Sequence, residues 1–113
     1  MTTFNFSVHA SPKDERWQEN FSNDSSPPVL LDLEPYGISG WAAHSVYVYW
    51  ADEEGIKRHT PDWCLHVAAC AHPQLLKFFE ACSSAIPSVD LTALISAASK
   101  LQGDRFVVRI LEY

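Results

Sequence analysis

Cys64, His66, Cys70 and His72 place four residues of zinc-ligand type within nine positions, and they are where chemistry would first be sought. Zinc takes cysteine and histidine, usually as two short pairs on turns separated by a loop. A helix through this run points Cys64 and His66 about 200° apart, so only His66 and Cys70 share a face. The spacing therefore predicts Cys70 as a small core residue and His66 as its partly exposed neighbour, with no metal and no cofactor. A second run, Gly37-Ile38-Ser39-Gly40, approaches the nucleophile elbow of serine hydrolases. That elbow is G-x-S-x-G between a strand and a helix, whereas here the second glycine comes one residue early. The sequence holds no Gly-rich phosphate loop. No catalytic residue is assigned, and the expectation is a binding protein, not an enzyme. A small zinc protein or enzyme built on the Cys64–His72 run is the alternative.

The charge is unevenly spread. Between Asp14 and Glu54 stand nine carboxylates (Asp14, Glu15, Glu19, Asp24, Asp32, Glu34, Asp52, Glu53 and Glu54) against one base, Arg16. The remaining positions hold five acids and seven bases, so −8 and +2 sum to the net charge of −6. A concentrated negative field speeds encounter with basic partners and repels nucleic acid and anionic membranes. Lys57-Arg58-His59 is the one basic cluster, which is far from the footprint that nucleic-acid binding needs. Interleaved with the acids are Trp17, Tyr36, Trp41, Tyr47, Tyr49 and Trp50. Tyrosine and tryptophan are the residues that most often anchor protein interfaces.

These groups must be held by a fold, and 113 residues suffice for one domain with one core. Hydrophobic residues make up 47% of the chain, which predicts a globular protein, and no apolar run is long enough to span a bilayer. Met1–Ser7 lacks the basic and apolar regions of a signal peptide. With three cysteines, that predicts free thiols in the cytoplasm. Phe4, Phe6 and Val8 alternate with polar residues as in a half-buried strand, and Val29–Leu33 reads as a second strand. Ser11–Ser26 reads as a loop with one helical turn around Glu15–Phe21. Trp41–Trp50 gives the strongest strand signal, through Val46, Tyr47, Val48, Tyr49 and Trp50. Asp52-Glu53-Glu54-Gly55 then reads as a hairpin turn and Ile56–His59 as its return strand.

Thr60-Pro61-Asp62 reads as a helix start, with Trp63, Val67 and Cys70 as the buried stripe. Pro73 to Ser83 forms a second helix with Leu75, Leu76, Phe79 and Cys82 on one face. Ser88 caps a third, its stripe formed by Leu91, Leu94, Ile95, Ala98 and Leu101, and Gly103 closes it. Arg105–Glu112 is the last strand. Strands, then helices, then one strand predict an α+β fold: a largely antiparallel sheet of four to five strands with helices on one face.

The segment from Val46 through the Asp52–Gly55 turn to Thr60-Pro61-Asp62-Trp63 resembles a stretch of the immunity protein 8 family of bacterial polymorphic toxin systems. In that family a strand, an acidic turn and a second strand lead into a Thr-Pro-x-Trp motif. Val8-His9-Ala10-Ser11-Pro12 with Asp14 is similar to its His-Ser-Pro-Asp opening, although Ala10 interrupts the motif. Where the family has a tryptophan before the last strand, this chain has Gly103-Asp104-Arg105. The resemblance implies a cytoplasmic antidote that neutralises a toxin domain, typically a basic nuclease, delivered by contact-dependent inhibition or another secretion route. On that expectation the partner-binding residues are Asp32, Glu34, Tyr36, Trp41, Asp52, Glu53 and Glu54. Trp17 is a further candidate anchor. The competing expectation is a phage-type inhibitor that mimics DNA, as some anti-CRISPR proteins do.

Overall fold

A computed structural model describes residues 4–11, 28–60, 66–86 and 91–112. Its order is β1 (Phe4–Ala10), β2 (Val29–Asp32), a 3-10 turn (Glu34–Tyr36), α1 (Trp41–Glu53), β3 (His66–Ala71), α2 (His72–Ala85), α3 (Leu91–Ser99) and β4 (Arg105–Glu112). The strands form one antiparallel sheet in the order β2-β1-β4-β3. This is the expected α+β architecture.

The register sets the core. Phe6 and Val8 of β1 pair with Ile110 and Val108 of β4, and together with Phe4 and Phe106 they line one sheet face, which Ala68 and Cys70 of β3 continue. Onto it pack Ala43, Tyr47, Trp50 and Ala51 of α1, Leu75, Phe78, Phe79 and Cys82 of α2, and Leu94 and Ala98 of α3. The α2 helix lies against both α1 and α3. His72 Nε2 donates to the Ala98 carbonyl at 2.9 Å, tying the start of α2 to α3. Pro73 sits in the first turn of α2, where its missing N–H costs nothing.

The polar alternates of β1 are buried as well: Ser7 and His9 are closed from solvent, and Asn5 nearly so. The strand is thus covered on both faces, not one. Val67 and Val107 form a small apolar cluster on that second face.

The largest departure from expectation is Trp41–Glu53, which is a helix and not a strand. Its buried positions, Ala43, Tyr47, Trp50 and Ala51, recur at i, i+4, i+7 and i+8, the helical period. Five consecutive β-branched and aromatic residues mimic a strand locally, but burial of the small Ala43 and Ala51 beside Tyr47 and Trp50 decides for a helix. The expected acidic hairpin is therefore the C-terminal end of α1. Gly55, at φ +67°, closes it, with Gly55 N–H bonded to the Asp52 carbonyl and Ile56 N–H to the Ala51 carbonyl, the paired bonds of a Schellman cap.

Ile56–His59 makes a single bridge, His59 with Val67, instead of a return strand. The expected helix through Val67 and Cys70 is strand β3, whose two alternating faces carry them apart. α3 ends at Ser99, so Gly103 does not cap it. That glycine, at φ +121°, lies in the bend before β4. The expected turn at Glu15–Phe21, the helix start at Pro61–Asp62 with Trp63, and the Ser88 cap lie outside the described residues.

Candidate functional site

On α1 the residues exposed to solvent are Trp41, Ala42, Ser45, Tyr49, Asp52 and Glu53. Trp41, Ser45, Tyr49 and Glu53 follow one another at i, i+4, i+8 and i+12, a single stripe about 18 Å long. Trp41 is 58% exposed and Tyr49 67% exposed, an unusual investment of aromatic surface for an outward helix face. Trp41 is nevertheless fixed: its ring stands edge-on to Phe4, with centroids 4.8 Å apart, and lies 5.4 Å from the His44 ring. Phe4 is itself anchored, its N–H donating to the Ser39 carbonyl at 2.8 Å. The stripe therefore begins on a rigid aromatic and ends on carboxylates.

Those carboxylates stand where the helix least favours them. The last turn of α1 carries Asp52 and Glu53 and no base, so acids face the negative end of the helix dipole. Asp52 is met by Arg58 at 3.7 Å, and Glu54, half-buried, by Lys77 at 3.5 Å. Such exposed pairs contribute little. Of the three acids at this end of the helix, Asp52 and Glu54 are thus each matched by a base, and among the described residues no base is paired with Glu53.

The other expected partner-binding residues sit elsewhere. Asp32 closes β2, where its carboxylate accepts from Asn5 Nδ2 at 3.3 Å and from Glu34 N–H at 3.2 Å. It is exposed but also structural, because it holds the entrance to the 3-10 turn. Glu34 is exposed, and Tyr36 is half-buried against the core. Trp41, Asp52 and Glu53 thus share one helix face. Asp32, Glu34 and Tyr36 belong to the edge-strand end, and Glu54 turns toward α2. Tyr49 joins Trp41 through its i+8 spacing, a relation that exists only because the segment is a helix. Trp17 lies outside the described residues.

Of the zinc candidates Cys64 lies outside the described residues, and His66, Cys70 and His72 are not gathered into one site. His66 and Cys70 are four residues apart along a strand, roughly 13 Å. Burial pushes the Cys70 thiol up to about 12, with Arg105 opposing the rise, and burial pushes Cys82 to about 12 as well. Burial thus keeps both thiols protonated at neutral pH. Among the described residues no three or more His, Cys, Asp or Glu side chains are placed to hold a metal ion. His66 instead stacks on Tyr47 and lies 5.6 Å from the His44 ring. Burial, then Arg58 and His44, lower its pKa from the ordinary histidine value.

Sequence spacing also passed over a serine–histidine contact, Ser7 Oγ to His9 Nε2 at 2.8 Å. Both side chains are closed from solvent on the second face of β1, so no substrate reaches them, and the contact satisfies buried polar groups.

No family model matches the chain, nor does any curated protein or solved structure. The strand–turn–strand on which the resemblance to immunity protein 8 was drawn is, in this chain, a helix and its cap. No helix among the described residues is long and apolar enough to cross a membrane.

Proposed function

We propose that the chain is a non-enzymatic antidote that binds a basic protein partner, a toxin domain of the nuclease kind, through the outer face of α1. The observation that carries this is the stripe of Trp41 and Tyr49, both more than half exposed, running into Asp52 and Glu53. Trp41 is the desolvated anchor, already immobilised by Phe4, so little conformational entropy is lost when a partner covers it. Tyr49 extends the apolar contact. The carboxylates and the helix C-terminus steer Lys and Arg side chains of the partner and set the docking register. The partner's basic cleft is filled by α1, not by a hairpin. Asp32 and Glu34 add to the negative field from the sheet edge without sharing that contact.

The unfavourable position of Asp52 and Glu53 supports the same reading, since folding alone would place bases there. The test is the association rate with the toxin domain encoded immediately upstream of the chain's gene. Replacing Asp52 and Glu53 by Lys is expected to slow association by about tenfold or more at low salt. Unchanged on-rates at every ionic strength would remove this end of α1 from the interface. If DNA competes with the chain for that partner, the DNA-mimic reading replaces the antidote one.

A further inference from the structure

Tyr49 and Glu53 stand one turn apart on the outer face of α1, and both side chains are open to solvent, Tyr49 by 67%. On a helix such a pair has its Cβ atoms about 6 Å apart. Helical side chains lean toward the N-terminus, so the Glu53 carboxylate leans back over the turn that Tyr49 occupies. An aromatic face and an anion are thereby offered together to whatever meets this end of the helix.

The neighbouring groups are already committed. Trp41 is turned onto Phe4 and His44. Asp52 is met by Arg58 at 3.7 Å, and Glu54 by Lys77 at 3.5 Å. Among the described residues no base is paired with Glu53 and no ring packs against Tyr49. The last turn of α1 holds no base either, so the partial negative charge of the helix end adds to that of Glu53.

We propose that Tyr49 and Glu53 together bind an arginine side chain of the protein partner. A guanidinium laid flat on the Tyr49 ring makes a cation–π contact, while its N–H fork pairs with both oxygens of Glu53. Lysine fits less well, because its ammonium is a compact, strongly hydrated point charge that cannot stack and fork at once. Asp52 is a poorer receptor, since a cation arriving there must first displace Arg58. The ring and the charge thus select arginine over lysine, which a negative field alone does not do. The inference rests on the outer face of α1 being the partner surface, and it adds the residue that the partner presents there.

The test uses two hexapeptides blocked at both ends, one alternating arginine with glycine and the other lysine with glycine. Each is titrated at low salt into the isotope-labelled full chain and followed by NMR. Saturable shifts of the Tyr49 ring and the Glu53 amide are expected, with the arginine peptide bound about fivefold or more tighter than the lysine peptide. Tyr49→Leu should abolish that preference, and Glu53→Gln should weaken the arginine peptide by about tenfold. Both positions are exposed, so each variant should keep the amide spectrum of the sheet. Glu80→Gln, at an exposed position of α2, should bind as the wild type does. Equal affinity for the two peptides at Tyr49 would overturn the inference and leave the antidote reading standing. Shifts that bypass Tyr49 and Glu53, or that arise on concentrating the chain alone as a second copy covers Trp41 and Tyr49, would overturn both.

Discussion

The indole of Trp50 donates from Nε1 to the backbone carbonyl of Gln74 at 2.8 Å, joining the inner face of α1 to the first turn of α2. Tyr47 makes the matching tie to the sheet, its hydroxyl donating to the Val108 carbonyl at 3.2 Å. Together these bonds fix how α1 is rolled, and so which residues it turns outward. Trp50→Phe should keep a ring against Tyr47 and Phe78 but lose the hydrogen bond and leave part of the buried indole's space empty. A loss of about 2 kcal/mol or more in urea-unfolding stability is expected, with the slope unchanged. No loss would mean that the bond does not hold the helix.

Gly55 tests the identity of the element before it. A Cβ there meets no atom within 4 Å, so any cost of substitution comes from the backbone at φ +67°. Gly55→Ala should destabilise by about 1 kcal/mol and shorten α1, seen as lost helical circular dichroism. Gly55→Asn should recover part of both, because asparagine tolerates this conformation. A substitution that lowers β signal and spares helical signal would contradict the helix.

Glu53 separates folding from binding. Glu53→Lys replaces an anion with a cation at the negative end of the α1 dipole, so the fold should gain about 0.3–1 kcal/mol. The same change should slow capture of a basic partner. A variant both less stable and equally fast in association would argue against the placement and the function together.

The two buried thiols predict an alkaline loss of stability. Cys70 and Cys82 are each raised from the ordinary value near 9 to about 12. Above pH 9 the unfolded chain releases these protons while the folded chain keeps them. Stability is therefore complete below pH 9 and falls as pH rises toward 12, by up to about 1.4 kcal/mol per pH unit for each thiol. Cys70→Val with Cys82→Val should flatten that slope in pH-dependent urea unfolding. An unchanged slope would assign the loss to other groups. His66 acts on the opposite flank: its lowered pKa means that stability falls as pH drops below about 6.5 toward the folded value.

β1, β2 and β4 were legible because Phe4, Phe6 and Val8, or Phe106, Val108 and Ile110, alternate cleanly along their strands. α2 and α3 were legible from the three-and-four spacing of Leu75, Phe79 and Cys82 and of Leu94 and Ala98. α1 was not, because Val46 to Trp50 satisfies a strand over five residues. The helical pattern emerges only when Ala43 and Ala51 are counted as buried. After His66, β3 is made of alanine, valine and cysteine with weak preference either way, and pairing with β4 decides it. Trp41, Asp52 and Glu53 could be named from the sequence as types. That they share a face with Tyr49 could not, since that follows from the helix.

The most direct test of the central claim is the dissociation constant for the partner retained by the wild-type chain in its native cell, compared with that of the Trp41→Ala, Tyr49→Ala double variant. Both side chains are largely exposed, so the variant should keep the far-ultraviolet spectrum and most of the unfolding midpoint. The account predicts affinity weakened by about a hundredfold or more, as expected when an aromatic anchor leaves an interface. An unchanged dissociation constant with the fold intact would contradict it.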